Sequence, residues 1–440
     1  MERYAQMKNS GVGWIQDIPT EWGVRVLFQL ADQVKNKNKD LAEKNLLSLS
    51  YGKIKRKDIN NPEGLLPESF DGYNIIEAND IVLRLTDLQN DHTSLRVGQA
   101  KERGIITSAY TTLRPSAFVH PQYLYYVLHA YDLIKGFYGM GAGVRQGLNY
   151  DEVKAIKVPY PSAEEQECIV AYLDDKVGQI DSIIEEAKKT IEEYKQWMKA
   201  VIFEAVTKGL DRNAEMKNSL ISWIGQIPAH WRKLPLKRVT ISRDGGAWGD
   251  EPAGDENDRI CMRVADFDFE FGRFKHMPAE MYTKRAYTSP QIEKLTLKVG
   301  DILVEKSGGG DKTPVGRAVL FDINEPALFA NFMDKLSPDT NVIVPEYFEY
   351  FWQAMYYLAI TTIYIKQTTG IQNLNVSALL EKEMIVFPPI DEQWQIVKQL
   401  DAFSESARVL VEEKMALISD LEKYKRSLIY ESVTGKRRVV

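Results

Sequence analysis

Trp14-Ile-Gln-Asp-Ile-Pro-Thr-Glu-Trp22 returns as Trp223-Ile-Gly-Gln-Ile-Pro-Ala-His-Trp231, at a constant offset of 209. The match extends upstream, where Arg3-Tyr-Ala-Gln-Met-Lys-Asn-Ser10 is repeated as Arg212-Asn-Ala-Glu-Met-Lys-Asn-Ser219. A second block, at an offset of 227, pairs Pro161-Ser-Ala-Glu-Glu-Gln166 with Pro388-Pro-Ile-Asp-Glu-Gln393. It continues with Ile169-Val170 against Ile396-Val397 and Glu204-Ala-Val-Thr207 against Glu431-Ser-Val-Thr434. Residues 24–158 and 233–387, between the matched blocks, show little agreement. Constant frames around two variable inserts describe one scaffold presenting two different readers.

The matched blocks read as helix. Pro161 stops the preceding segment, and Ser162-x-x-Glu165 has the form of a capping box, with hydroxyl and carboxylate satisfying free N–H groups. A short helix is expected to about Lys176, weakened at Gly178. Beyond it Val177, Ile180, Ile184, Ala187, Ile191, Tyr194, Met198, Val201 and Ala205 alternate steps of three and four, an a/d seam. Thr207-Lys-Gly209 ends it with a glycine stop. The second copy repeats the seam at Phe403, Ala407, Leu410, Lys414, Leu417, Leu421, Tyr424 and Leu428, with Lys414 the one break. Each long helix should have roughly 28 residues, hence about 42 Å at 1.5 Å per residue. Duplicated units that pack on each other usually do so about a two-fold axis, which makes the helices antiparallel. The sequence following the first long helix, Leu210–Ser219, has its counterpart at residues 1–10. The C-terminal segment should therefore lie near the N-terminal one, as in a repeat cut from a circle.

The inserts alternate short β-like runs with turns. Leu46–Tyr51, Asp80–Arg84 and Tyr110–Arg114 are expected as strands and Tyr123–Ile134 as a helix. In the second insert the expected strands are Asp301–Glu305, Ala318–Phe321 and Asp339–Val344, followed by a helix over Glu346–Thr361. Ala78–Arg84 looks equivalent to Val299–Glu305, and Gly143–Asn149 to Gly370–Asn375. The domain plan is 1–158, a helical region 159–217, 218–387, and a helical region 388–440.

With 440 residues, each half is long enough to bury its own core. No apolar run is long enough to span a bilayer, and the start has no apolar signal region. Cys168 and Cys261 form no C-x-x-C pair, so a reduced, cytoplasmic setting is the default. The net charge of −6 argues mildly against a nucleic-acid binder, yet residues 24–158 carry 18 Lys+Arg against 15 Asp+Glu. The acidic loop Asp250–Asp258 is expected to face away from any groove.

Catalytic signatures fail on spacing. Gly308-Gly-Gly-Asp-Lys312-Thr313 lacks the G-x-x-x-x-G-K-[ST] frame, because Asp311 precedes the lysine and position 305 is Glu. Gly139-Met-Gly-Ala-Gly143 has no strand–loop–helix context for a dinucleotide. The five histidines show no metal spacing. The inserts do offer basic and amide side chains on turn-rich ground. In the first these are Lys53, Lys55, Arg84, Arg96, Arg103, Arg145 and Gln146; in the second, Arg243, Lys306, Lys312, Lys366, Gln367, Gln372 and Asn373. Arg and Lys can bridge guanine O6/N7 or neutralise phosphate, and Asn and Gln can pair with adenine N6/N7. A protein-interaction scaffold and a stand-alone methyltransferase or nuclease are the alternatives.

These residues resemble the specificity subunits of type I restriction–modification systems. The resemblance rests on Trp14–Trp22 with its copy Trp223–Trp231, on the Leu-Asn segments ahead of the two Pro-x-x-x-Glu-Gln blocks, and on the long helices. It implies an α+β chain with two similar target-recognition domains separated by two long antiparallel helices, a pseudo-two-fold, circularly arranged repeat. It implies a non-catalytic reader of double-stranded DNA, each domain taking one half of a split target. The helices, through Ile180, Ile184, Ile191, Tyr194, Met198, Leu410, Leu417, Leu421, Tyr424 and Leu428, would set the gap and dock two modification subunits. S-adenosylmethionine would be carried by those partners, ATP and Mg by restriction subunits, and no cofactor, metal or membrane contact by this chain.

Overall fold

A computed structural model describes residues 4–60, 69–91, 93–140, 147–268, 271–310, 312–368 and 370–439. The chain divides into two compact units, Met1–Ala187 with Ala416–Val440, and Lys188–Met415. The two long helices, Ala163–Lys208 and Ile390–Val433, each give one half to either unit.

In the first unit a four-stranded antiparallel sheet has the order Ala31–Gln33, Thr111–Pro115, Ile81–Leu83, Val97–Gln99. The helix Pro121–Leu133 opens with proline at its first position, where a missing N–H costs nothing. Its Tyr123, Leu124 and Val127 share one core with Ile81, Leu83, Leu113 and Trp22, joined by Ile169, Leu173 and Leu428 of the long helices. The helix halves run antiparallel here. Tyr123 Oη lies 3.2 Å from Pro159 O, just ahead of the first helix, and 3.3 Å from Val433 O at the end of the second. Further in, Lys425 Nζ meets Asp181 Oδ1 at 2.5 Å.

The second unit repeats the arrangement. Its sheet has the order Thr240–Gly245, Met333–Pro338, Ile302–Glu305, Ala318–Leu320, and its helix is Pro345–Tyr357. Tyr347 Oη lies 3.0 Å from both Val206 O and Val386 O. Trp197 and Phe403 stack edge to face with centroids 4.5 Å apart. Beside its main core lies another, built on Asp258–Met262 between Lys284–Ala286 and the parallel strand Ala327–Phe329, as Leu47, Leu49, Ile76 and Val82 form a separate cluster in the first unit.

The repeated residues are repeated because they make the same bonds. Trp22 Nε1 donates to Glu165 at 2.8 Å, and Trp231 Nε1 to Glu392 at 3.0 Å. Gln166 accepts from His120 N at 2.9 Å, and Gln393 from Val344 N at 2.8 Å. The Glu-Gln pair thus ties a buried indole and the start of the module helix to the first turn of each long helix. Both long-helix ends are tied alike. Lys208 Nζ donates to the carbonyls of Ile224 and Gln226, and Lys436 Nζ to those of Ile15 and Asp17. The lysine and glycine change places between Thr207-Lys-Gly209 and Thr434-Gly-Lys436, yet the amine reaches equivalent carbonyls. Gly435, at φ 71, sits where a Cβ would fall 2.2 Å from Pro19. Tyr430 Oη also bonds Trp14 O at 2.7 Å, so the C-terminal segment packs on residues 14–19 as the repeat requires.

Four expectations need correction. The short and long helices are fused: each long helix is continuous, with 46 and 44 residues. An exposed Gly178 with free space around it costs only about 1 kcal/mol, too little to break a helix held by tertiary packing. The seam of the second helix is buried at Ala407 and Val411, with Ile418 partly buried, whereas Leu410, Leu417 and Tyr424 are 38, 41 and 46% exposed. The apolar stripe is wider than the seam, so Leu410 and Leu417 mark a row next to the buried one. Asp339–Val344 is no strand; the strand is Met333–Pro338, and Asp339 turns the chain by accepting from Asn341 N at 3.1 Å. The helix after it ends at Tyr357, and Thr361–Tyr364 is a 3₁₀ turn.

Candidate DNA-reading surfaces

In the second unit, Ile365–Thr368 and Ile371–Leu374 form a hairpin, with Ser307–Gly308 as a third strand. The register puts Lys366 opposite Asn373 and Asn373 opposite Ser307, in one row across the ribbon. Ser307 Oγ donates to Asn373 Oδ1 at 2.8 Å, which orients the amide; Lys366 and Gln367 are exposed. The DNA major groove admits a two-stranded β-ribbon such as this hairpin, and a lysine beside an oriented asparagine is chemically able to make one phosphate or guanine contact and one adenine contact. Exposed Phe332 and Ile371 add apolar surface at the same ribbon, since Phe332 O accepts from Lys306 N and Ser307 N. Ser307, Phe332 and Ile371 were not singled out from the sequence, where neither serine nor a lone apolar residue carries a signal.

Other candidates in this unit are structural supports. Gln372 is buried, accepting from Val315 N at 3.2 Å. Arg243 Nε and Lys306 Nζ each reach the fully buried Asp334 carboxylate at 2.6 Å, and Arg243 also bonds Ser377. Both cations remain about one third exposed. Lys312 is exposed in the glycine loop.

In the first unit the hairpin Leu47–Ser50 with Lys53–Arg56 buries Leu47 and Leu49 on one face. Ser48 pairs across with Lys55, and Ser50 with Lys53, giving a polar face with both lysines exposed. Tyr51 (φ 48) and Gly52 (φ 76) make the tight turn, leaving the Tyr51 ring 76% exposed. Arg84 lies 3.7 Å from Asp91, and Arg103 pairs with Glu43 and Glu77, so both are surface ion pairs. Arg96 is a correction: it is fully buried and its guanidinium is used up by loop carbonyls and Tyr138 Oη. It cannot reach DNA from there. Arg145 and Gln146 lie outside the described residues.

Along the helices Ile180, Ile184, Ile191, Met198 and Leu428 are buried, and Tyr194 and Leu421 are partly so. Among the described residues, no His, Cys, Asp and Glu group could hold a metal ion, and no helix is long and apolar enough to cross a membrane.

The profile of the type I restriction modification DNA specificity domain matches residues 19–193 and 283–418. The chain belongs to that family. DNA recognition, rather than catalysis, is the role of such a specificity subunit, and the scaffold reading falls away. The MjaVIII type I restriction enzyme specificity subunit of Methanocaldococcus jannaschii is 25% identical, over 83% of this chain and 80% of its own length. The MjaX specificity subunit of the same organism is 23% identical over 97% of this chain and 96% of its own. A chain from a type I restriction–modification system, solved to explain complex assembly and conformational transition, superposes with a TM-score of 0.67. That likeness covers 94% of this chain and 98% of the other at 14% identity, and it speaks for the fold alone.

Proposed function

We propose that each unit of this specificity subunit reads one half of a split double-stranded DNA target. The observation that carries this is the pairing of identical frames with unlike surfaces. The Trp–Glu and Gln–backbone ties recur bond for bond, while one unit exposes Lys53, Lys55 and Tyr51 and the other exposes Lys366 and Asn373 beside a half-buried Ser307. Identical frames with unlike faces suit two different half-sequences. The long helices set the gap between the halves. The exposed row Leu410, Leu417 and Tyr424, spaced by sevens on one helix face, supports docking of two modification subunits, which carry S-adenosylmethionine and methylate adenine. Restriction subunits driven by ATP and Mg join that core in the cytoplasm. Co-expression with the cognate modification subunit and selection from random duplex DNA tests this. A split consensus with a fixed gap is expected; a continuous consensus, or none, overturns the reading.

A further inference from the structure

The strands Ile81–Leu83 and Ile302–Glu305 hold the same place in equivalent antiparallel sheets. Beyond each, the chain leaves in a loop and returns at an arginine. Arg84 N donates to Arg96 O, and Glu305 N to Arg317 O, both at 2.8 Å. The stretches enclosed, 85–95 and 306–316, are of equal length. Each is flanked by the same neighbour: Leu148 N donates to Leu85 O and Leu374 N to Lys306 O, again both at 2.8 Å. The loop of the second unit contains Lys306, Lys312 and Ser307, the last in the third strand of the ribbon described above. Its counterpart in the first unit, Leu85–Leu95, carried no candidate in the sequence reading.

That counterpart is built from beneath. The buried Arg96 guanidinium donates to Thr86 O at 2.6 Å, Asp87 O at 3.2 Å and Asp91 O, while its Nε reaches Tyr138 Oη at 3.1 Å. A buried cation demands such satisfaction, and in meeting it the loop carbonyls turn inward. Asp91 Oδ1 accepts from Ser94 N at 2.9 Å and Thr93 N at 3.2 Å, closing the far side. Hydrogen bonds from Ser94 are the main cause that holds this carboxyl well below the usual carboxylate range. Gln89, Asn90 and Thr93 are thereby left pointing to solvent. Asn90 Nδ2 is aimed by Asp87 Oδ1 at 2.8 Å. With Asp87 and Asp91 in it, the loop is unsuited to phosphate; amides and a carboxylate suit the edges of adenine and cytosine.

Resting on the split-target reading, we propose that Gln89 and Asn90, in the loop that follows Ile81–Leu83, read bases for the first unit and determine its specificity, with Arg96 a positioning residue. The test uses the subunit assembled with its modification partner, against random duplex DNA. Wild type must first yield a split consensus; its absence sinks the functional reading and not the loop assignment as such. Given that consensus, the double variant Gln89→Ala, Asn90→Ala should relax preference about tenfold or more at positions within one half only. Arg96→Gln should relax the same positions, and Arg96→Lys should restore part of the preference. Unchanged consensus in both halves for the double variant would overturn the proposal, whatever happens to Arg96→Gln.

Discussion

Replacing Val411 and Leu410 by alanine, one at a time, separates the buried row of the second long helix from the row beside it. Val411 is 1% exposed and Leu410 38%. Val411→Ala removes two methyl groups from a closed site. At about 0.8 kcal/mol per buried methylene, with a further contribution from the cavity, the cost is about 2 kcal/mol. Leu410→Ala removes a larger group, but one already partly hydrated and replaced by the best helix former, so it should cost under about 1 kcal/mol. For a unit of this size 1 kcal/mol moves Tm by about 2–4 °C, so Val411→Ala should lower the transition of the second unit by about 4–8 °C. Scanning calorimetry of the free subunit reads both values. Assembly should rank the pair the other way, with Leu410→Ala weakening capture of the modification subunit more than Val411→Ala does. Equal thermal losses for the two variants would refute the register assigned here.

Trp231→Ala, which empties a buried indole site and leaves Glu392 Oε1 without its indole donor, should cost about 3–5 kcal/mol and be read in the same calorimeter. Lys53→Ala with Lys55→Ala should flatten the dependence of log K on log salt by about 0.9 for each phosphate no longer neutralised, leaving the consensus unchanged; a shifted consensus would mean the lysines read bases. Burial, followed by the Asp322, Glu346 and Asp401 charges, pushes the Glu349 carboxyl up from 4.5 to about 8. A raised carboxyl gives stability that is present below pH 4.5 and is lost as pH rises towards 8. Glu349→Gln keeps an acceptor for Leu320 N and should melt higher than wild type at pH 8 but not at pH 4.5; a gap independent of pH would contradict this. Removing seven residues from each long helix at matched positions shortens each by about 10.5 Å, and the gap in the target by at most about three base pairs, without altering either half.

The frame was legible from the sequence because its residues act locally and twice. Trp22 with Glu165, and Trp231 with Glu392, stand out as repeats before any contact is known. The capping box was half right: Ser162 Oγ accepts from Glu165 N at 3.2 Å, but the Glu165 carboxylate turns to Trp22 and Tyr4 instead of back to the cap. Seam register was not legible on the second helix, since Val411, Ile418 and Lys425 compete there with Leu410, Leu417 and Tyr424, and burial depends on the facing helix. The reading faces were the least legible. A surface lysine such as Lys53 and a loop anchor such as Arg96 are both basic residues on turn-rich ground, and only three-dimensional burial tells them apart. The match of Ala78–Arg84 with Val299–Glu305 leads up to 85–95 and 306–316, but inside these two stretches the residues differ and only the backbone bonds at their ends agree.

Sequencing the methylated motif in DNA from cells carrying this subunit with its modification partner tests the central claim most directly, for wild type and for Lys366→Ala with Asn373→Ala. A single split motif with a fixed unspecified gap is expected, changed in one half only by the double variant. A continuous motif, or both halves altered together, would contradict the assignment of one reader to each unit.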